Sequence, residues 1–151
     1  MTDTVYVLNG PNLNLLGVRE PQLYGSTTLA QVEALCHEVA QSVGLRCVFR
    51  QSNHEGVLVD WVQEARAEGA AVVINPAGLS FRSIPLLDAL KTLDQPLAEV
   101  HITNIHRREP LYTQSLVSLA ATGVICGFGP YGYEMAIRAI AHRLAQSRVP
   151  A

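Results

Sequence analysis

Short β-branched apolar runs alternate with longer amphipathic segments along this chain, five times over, and few architectures accommodate that order. Val5-Tyr6-Val7-Leu8 stops at the turn signal Asn9-Gly10-Pro11, as a buried strand would. A polar loop then runs to Thr27. Thr28 with Gln31 forms a capping box, and Leu29, Val32, Leu35, Cys36, Val39 and Val43 recur at helical spacing until Gly44 ends the segment. From Leu45 to Gln51 apolar residues alternate with Arg46 and Arg50, which predicts a strand with one exposed face near a sheet edge. A second helix is expected from about Gly56 to Gly69, an apolar strand at 70–74, and a third helix from near Pro85 to about Leu93 that contains Lys91. Strands at 96–103 and 123–128 follow, with a short helix expected at 116–121 between them. A helix from about Tyr133 to Arg148 closes the chain.

Strands separated by helices imply βαβ units with right-handed crossovers and a parallel sheet covered on both faces. Five strands in 151 residues fit one α/β domain over 1–151, with the flavodoxin-like doubly wound order. In such sheets a ligand sits beyond the carboxyl ends of the strands. Composition narrows the function classes. Eleven Lys and Arg against thirteen Asp and Glu give a net charge of −2, so a nucleic-acid partner recruited through phosphates is not expected. The chain is 48% hydrophobic and only 16% charged, where an average domain is about 25% charged, which indicates surface hidden by other subunits. The three cysteines, Cys36, Cys47 and Cys126, lack a CxxC and read as small buried hydrophobes; no metal site is expected. With no signal peptide or membrane span predicted, the expected setting is cytoplasmic.

The polar residues after the strands test the position rule. Asn9 to Asn14, Arg19, Glu20 and Tyr24 follow the first, Gln51 to Glu55 the second, and Asn75-Pro76 the third; the fourth carries Glu99, His101, Thr103, Asn104, His106 and Arg108. His101 stands out because it interrupts the apolar run Val100 to Ile102 at a strand terminus. It reads either as a satisfied core histidine or as a general acid whose tautomer a nearby carboxylate sets. Tyr24 with Arg19 is the second case: a guanidinium beside a phenol stabilises the phenolate and makes it a base, whereas separately the two are an apolar plug and a solvated charge. The run 127–132, Gly-Phe-Gly-Pro-Tyr-Gly, lacks a P-loop lysine and reads as a tight turn.

The blocks at 8–17, 19–21, 24–25, 51–56, 74–76, 99–102 and 121–125 together resemble type II 3-dehydroquinate dehydratase, in order and along essentially the whole chain. The resemblance implies a flavodoxin-like subunit in a homododecamer of four trimers that eliminates water from an anionic small molecule, 3-dehydroquinate, with no cofactor. By position, Tyr24 would take the proton α to the ketone, with Arg19 holding it as phenolate, and Asn12 would position a water that stabilises the enolate. His101, oriented by Glu99, would protonate the departing hydroxyl. Asn75, Ile102 and Thr103 would hold the substrate carboxylate, and Asp88 would reach a neighbouring subunit's site. The chain departs from the family pattern where Phe81 stands in place of a histidine and Tyr112 in place of an arginine, both readers of ring hydroxyls; Thr103 conservatively replaces the commoner serine. Two further readings stay open on those departures. One is the same elimination on a related cyclic β-hydroxy ketone carboxylate, and the other a non-catalytic flavodoxin-like binding subunit.

Overall fold

The computed structural model describes residues 2–112 and 114–150. Five strands, β1 (Thr4–Asn9), β2 (Arg46–Gln51), β3 (Ala71–Asn75), β4 (Leu97–His101) and β5 (Gly123–Cys126), form one parallel sheet in the order β2-β1-β3-β4-β5. This is the flavodoxin-like arrangement expected, with β2 at an edge. Alternation along β1 explains why both faces are covered. Val5 and Val7 point to one side, where they pack with Val32, Cys36 and Val39 of α2 (Leu29–Ser42) and Ile137 and Ile140 of α5 (Tyr131–Gln146). Tyr6 and Leu8 point to the other, against Leu58 and Val62 of α3 (Glu55–Ala67) and Leu86 and Leu90 of α4 (Ile84–Leu90).

The capping box at α2 forms as predicted. The Thr28 hydroxyl accepts from the Gln31 amide at 3.2 Å while the Gln31 side chain accepts from the Thr28 amide at 2.9 Å. Elsewhere the ends move. The strand expected at 96–103 stops at His101, and that at 123–128 stops at Cys126, where Gly127 (φ +96°) turns the chain and leaves Phe128 exposed. The third helix ends at Leu90, which leaves Lys91 as its C-cap, and the last helix begins two residues earlier than expected, at Tyr131. The helix expected at 116–121 is a single 3-10 turn, Val117–Leu119. The loop before α2 is more ordered than polarity implied: it contains a 3-10 turn, Leu13–Leu15, and a one-turn helix, α1 (Pro21–Tyr24), with Pro21 at its start and Gly25 (φ +80°) at its end. No described helix is long and apolar enough to cross a membrane. Cys36 is buried and the Cys47 thiol is pushed up to about 11, chiefly by burial, so both behave as packing groups.

The carboxyl ends of β1 and β3 close onto one another. The Gly10 amide donates to the Asn75 carbonyl at 2.8 Å, and a Cβ at Gly10 would sit 2.4 Å from the Pro76 carbonyl oxygen. Behind this contact lies a buried polar network. The Tyr133 hydroxyl donates to Asn9 Oδ1 at 2.7 Å and accepts from Asn75 Nδ2 at 2.9 Å, while Asn9 Nδ2 donates to the Arg50 carbonyl at 3.1 Å. Burial pushes the Tyr133 phenol well above its ordinary range, so it stays neutral. The Gly10→Ala substitution forces the β1 and β3 turns apart and is expected to destabilise the fold by about 1–3 kcal/mol, measured as a lowered urea midpoint.

Candidate active site

Beyond the strand ends lies a pocket of about 240 Å³. The loop after β1 contributes Asn12, Arg19 and Tyr24; the turn after β3 contributes Ala77 and Phe81; β4 and its exit contribute His101, Ile102, Thr103, Arg108 and Tyr112. Asn12 (φ +72°) and Ala77 (φ +51°) hold left-handed backbone conformations at its rim, a strain that concentrates at sites where side chains must be aimed. A larger groove of about 370 Å³ runs beside the β5 edge, but its lining is apolar apart from Thr122 and Arg143 and it contains no acid–base pair.

His101 and Glu99 project from the same face of β4 and are both buried. The Glu99 carboxylate accepts a hydrogen bond from His101 Nε2–H through Oε2, and Oε1 accepts from the Ser118 hydroxyl at 2.6 Å. A carboxylate is acceptor-only, so Nε2 carries a proton and Nδ1 is the ring nitrogen not committed to Glu99. Burial alone would raise the Glu99 carboxyl. The His101 and Ser118 hydrogen bonds, together with the imidazole charge, outweigh it and hold the group below its ordinary value. The satisfied-core and general-acid readings of His101 thus describe one arrangement, a buried imidazole with one nitrogen anchored and the ring at the pocket wall.

At the opposite wall Arg19 Cζ lies over the Tyr24 ring, 5.2 Å from its centroid, and the Arg19 guanidinium pairs with Glu20 at 3.4 Å. The cation at the phenol oxygen is a different one: Arg108 Nη1 donates to the Tyr24 hydroxyl at 3.1 Å. Arg108 is the residue that sequence reasoning listed but did not choose. Arg107 ends a 3-10 turn and Arg108 follows as its C-cap, and nothing in their spacing distinguishes the exposed Arg107 from the half-buried Arg108 that reaches the pocket. Ser118 and Tyr133 are also missing from the sequence-derived set, because neither lies in a strand-end loop.

Among the remaining expected residues, Asn12, Ile102 and Thr103 line the pocket. Asn75 is buried behind it, its amide engaged by Tyr133 and its Oδ1 by the Ala77 amide at 3.2 Å. Asp88 is exposed on α4, away from this pocket. The expected anionic ligand meets a favourable field: among the described residues Arg19 and Arg108 line the cavity and no carboxylate does, the reverse of the chain's net −2.

The depressed Glu99 carboxyl ties the site to stability. Its contribution is present above the ordinary glutamate value of about 4.3 and is lost as pH falls through the folded value. Glu99→Gln is therefore expected to be less stable than the unaltered chain at neutral pH, with the gap closing below about pH 4 in urea unfolding measured across pH.

The family profile described as Dehydroquinase class II matches residues 3–141. A 3-dehydroquinate dehydratase from a Caulobacter species is 57% identical over 141 residues, spanning 93% of this chain and 96% of the relative. Another, from a Chelativorans species, is 51% identical over 145 residues, spanning 95% and 100%. Among solved structures, type II dehydroquinase from Propionibacterium acnes superimposes with a TM-score of 0.91 at 43% identity, covering 94% of this chain and 98% of that one. A 3-dehydroquinate dehydratase-like protein from Bifidobacterium longum gives 0.72 at 33% identity, covering 96% and 99%. With most of its length matched by the family profile and by relatives more than half identical, the chain belongs to the class II dehydroquinase family.

Proposed function

We propose that this chain is a 3-dehydroquinate dehydratase, a hydro-lyase that removes water from 3-dehydroquinate to give 3-dehydroshikimate. The observation that carries the reading is the pairing, across one cationic pocket, of a tyrosine hydroxyl held by arginine with a histidine anchored by a buried glutamate. The chemistry divides between the two walls. Tyr24, as phenolate, takes the proton α to the ketone, and the C–H electron pair moves into the ring as an enolate. The positive charge of Arg108 sits at the phenol oxygen and Arg19 lies over the ring, so the base faces two cations. Asn12 at the rim positions a water toward the enolate oxygen. The enolate collapses, the β C–O bond breaks, and His101 gives its proton to the departing oxygen, which leaves as water.

Glu99 stabilises the imidazolium before that transfer and fixes the ring's orientation. Thr103 and Ile102, at the exit of β4, hold the substrate carboxylate, and Asn75 behind the pocket braces the Ala77 turn through Oδ1. The set of roles calls for no cofactor. Assembly into trimers and a dodecamer is supported by the apolar surface of one subunit: Val124 on edge strand β5, Leu119, Phe128 and Tyr131 are all exposed.

One observation favours a second reading, elimination from a related cyclic β-hydroxy ketone carboxylate. The wall formed by Phe81 offers a substrate hydroxyl no hydrogen-bond partner, and Tyr112 offers one. A rise in kcat/KM for dehydroquinate on Phe81→His would support it, and no rise would count against it.

Purified protein mixed with dehydroquinate is expected to generate the ultraviolet absorbance of the conjugated enone; a flat trace overturns the proposal. Tyr24→Phe and His101→Ala are each expected to lower kcat by about 10²–10⁴-fold with the fold intact by circular dichroism. Full activity in Tyr24→Phe would overturn Tyr24 as the base, whereas a flat trace with the unaltered protein would point to a binding subunit.

A further inference from the structure

We propose that Tyr112 is a positioning residue that holds Arg108 against Tyr24 without neutralising it, an inference that rests on Tyr24 being the base. Arg108 Cζ lies 4.2 Å from the Tyr112 ring centroid, while its Nη1 donates to the Tyr24 hydroxyl at 3.1 Å. The guanidinium is thus held by an aromatic face on one side and spent on the phenol on the other. Among the described residues Arg108 has no carboxylate partner within ion-pairing distance.

That choice of partner has an electrostatic consequence. A carboxylate would fix the same side chain but compete with the phenolate for its charge. A ring face attracts the cation through its quadrupole and carries no net charge of its own. Arg19 shows the contrast: it also lies against Tyr24, but its guanidinium is paired with Glu20. The charged groups facing Tyr24 are therefore Arg19, already paired, and Arg108, not paired.

Phe81 completes the brace. Its ring meets Tyr112 edge-on, with centroids 5.5 Å apart and planes at 83°, and stacks near His101, with centroids 6.5 Å apart and planes at 29°. The Phe81–Tyr112 pair spans the pocket from the acid to the cation that serves the base.

Tyr112→Leu removes the ring face and is expected to lower kcat on dehydroquinate by about 2–30-fold, the range of a cation–π contact, with a much smaller change in KM. Tyr112→Phe keeps the face and is expected to recover most of that loss. In an Arg108→Ala background, Tyr112→Leu should cost little more, because the two act as one unit. A readout without turnover is the Arg108 Nε–H signal in ¹⁵N NMR: the ring current of residue 112 should shift it in the unaltered protein and in Tyr112→Phe, and the shift should vanish in Tyr112→Leu. Equal kcat in the Leu and Phe variants, an undiminished loss in the Arg108→Ala background, or an Arg108 signal indifferent to residue 112 would each overturn the proposal. Absence of dehydroquinate turnover in the unaltered protein would overturn the assigned reaction instead, and the NMR signal would still decide whether Tyr112 holds Arg108.

Discussion

The site depends on the closure of β1 onto β3 at their carboxyl ends. Asn9 and Asn75 are in register on adjacent strands, and without a shared partner Asn9 Oδ1 and Asn75 Nδ2 would both be buried and unpaired. Tyr133 at the start of α5 supplies it, accepting from one and donating to the other. Removing one member would leave the others desolvated and unpaired, so the network fixes where both strands end. The absence of a side chain at Gly10 then lets the two turns touch. Asn12, Ala77 and Phe81 all leave from these turns, so the aim of the pocket's rim is set by hydrogen bonds beneath it.

From this base two electrostatic problems are solved in opposite ways. On β4 a carboxylate is buried completely, at a cost that only direct partners offset; His101 and Ser118 occupy both of its oxygens. Across the pocket the need is reversed, since a cation must be kept close to a phenol without a counter-charge that would cancel it. Aromatic faces meet that need, and Tyr24, Arg108, Tyr112 and Phe81 form a continuous series of such contacts.

The parts of this arrangement legible in the sequence are those with local causes. Alternation put both faces of β1 in the core, Thr28 and Gln31 marked the start of α2, and His101 was conspicuous as an ionisable group inside an apolar run. Family resemblance added the roles of Tyr24, Asn12 and Glu99, which spacing alone does not carry. What was not legible has a common physical origin. Ser118 reaches Glu99 from 19 residues away, Tyr133 reaches Asn9 from 124 away, and Arg108 reaches Tyr24 from 84 away. Each is a contact made by tertiary packing of short 3-10 turns or of a helix start, where neither periodicity nor capping signals distinguish one residue from its neighbour. Arg19 was singled out as the partner of Tyr24 because it is near in sequence; the fold gives the hydroxyl to Arg108.

The two halves of the site are built on supports of different stiffness. The proposed acid, His101, stands on β4, an interior strand of the sheet paired on both sides, and its buried partner Glu99 cannot rotate away without stranding a charge. The proposed base, Tyr24, stands on a single helical turn, Pro21–Tyr24, with exposed residues before it and a glycine after it. Proton abstraction and proton delivery must nevertheless occur at adjacent carbons of one small ring, so the distance between the walls has to be set by something other than the backbone of α1. The Phe81–Tyr112 pair is placed to do this, because one end packs on the acid's imidazole and the other on the guanidinium that holds the base. On the proposed roles, the two residues whose identity departs from the family pattern thereby stand as a spacer between the acid and the cation at the base.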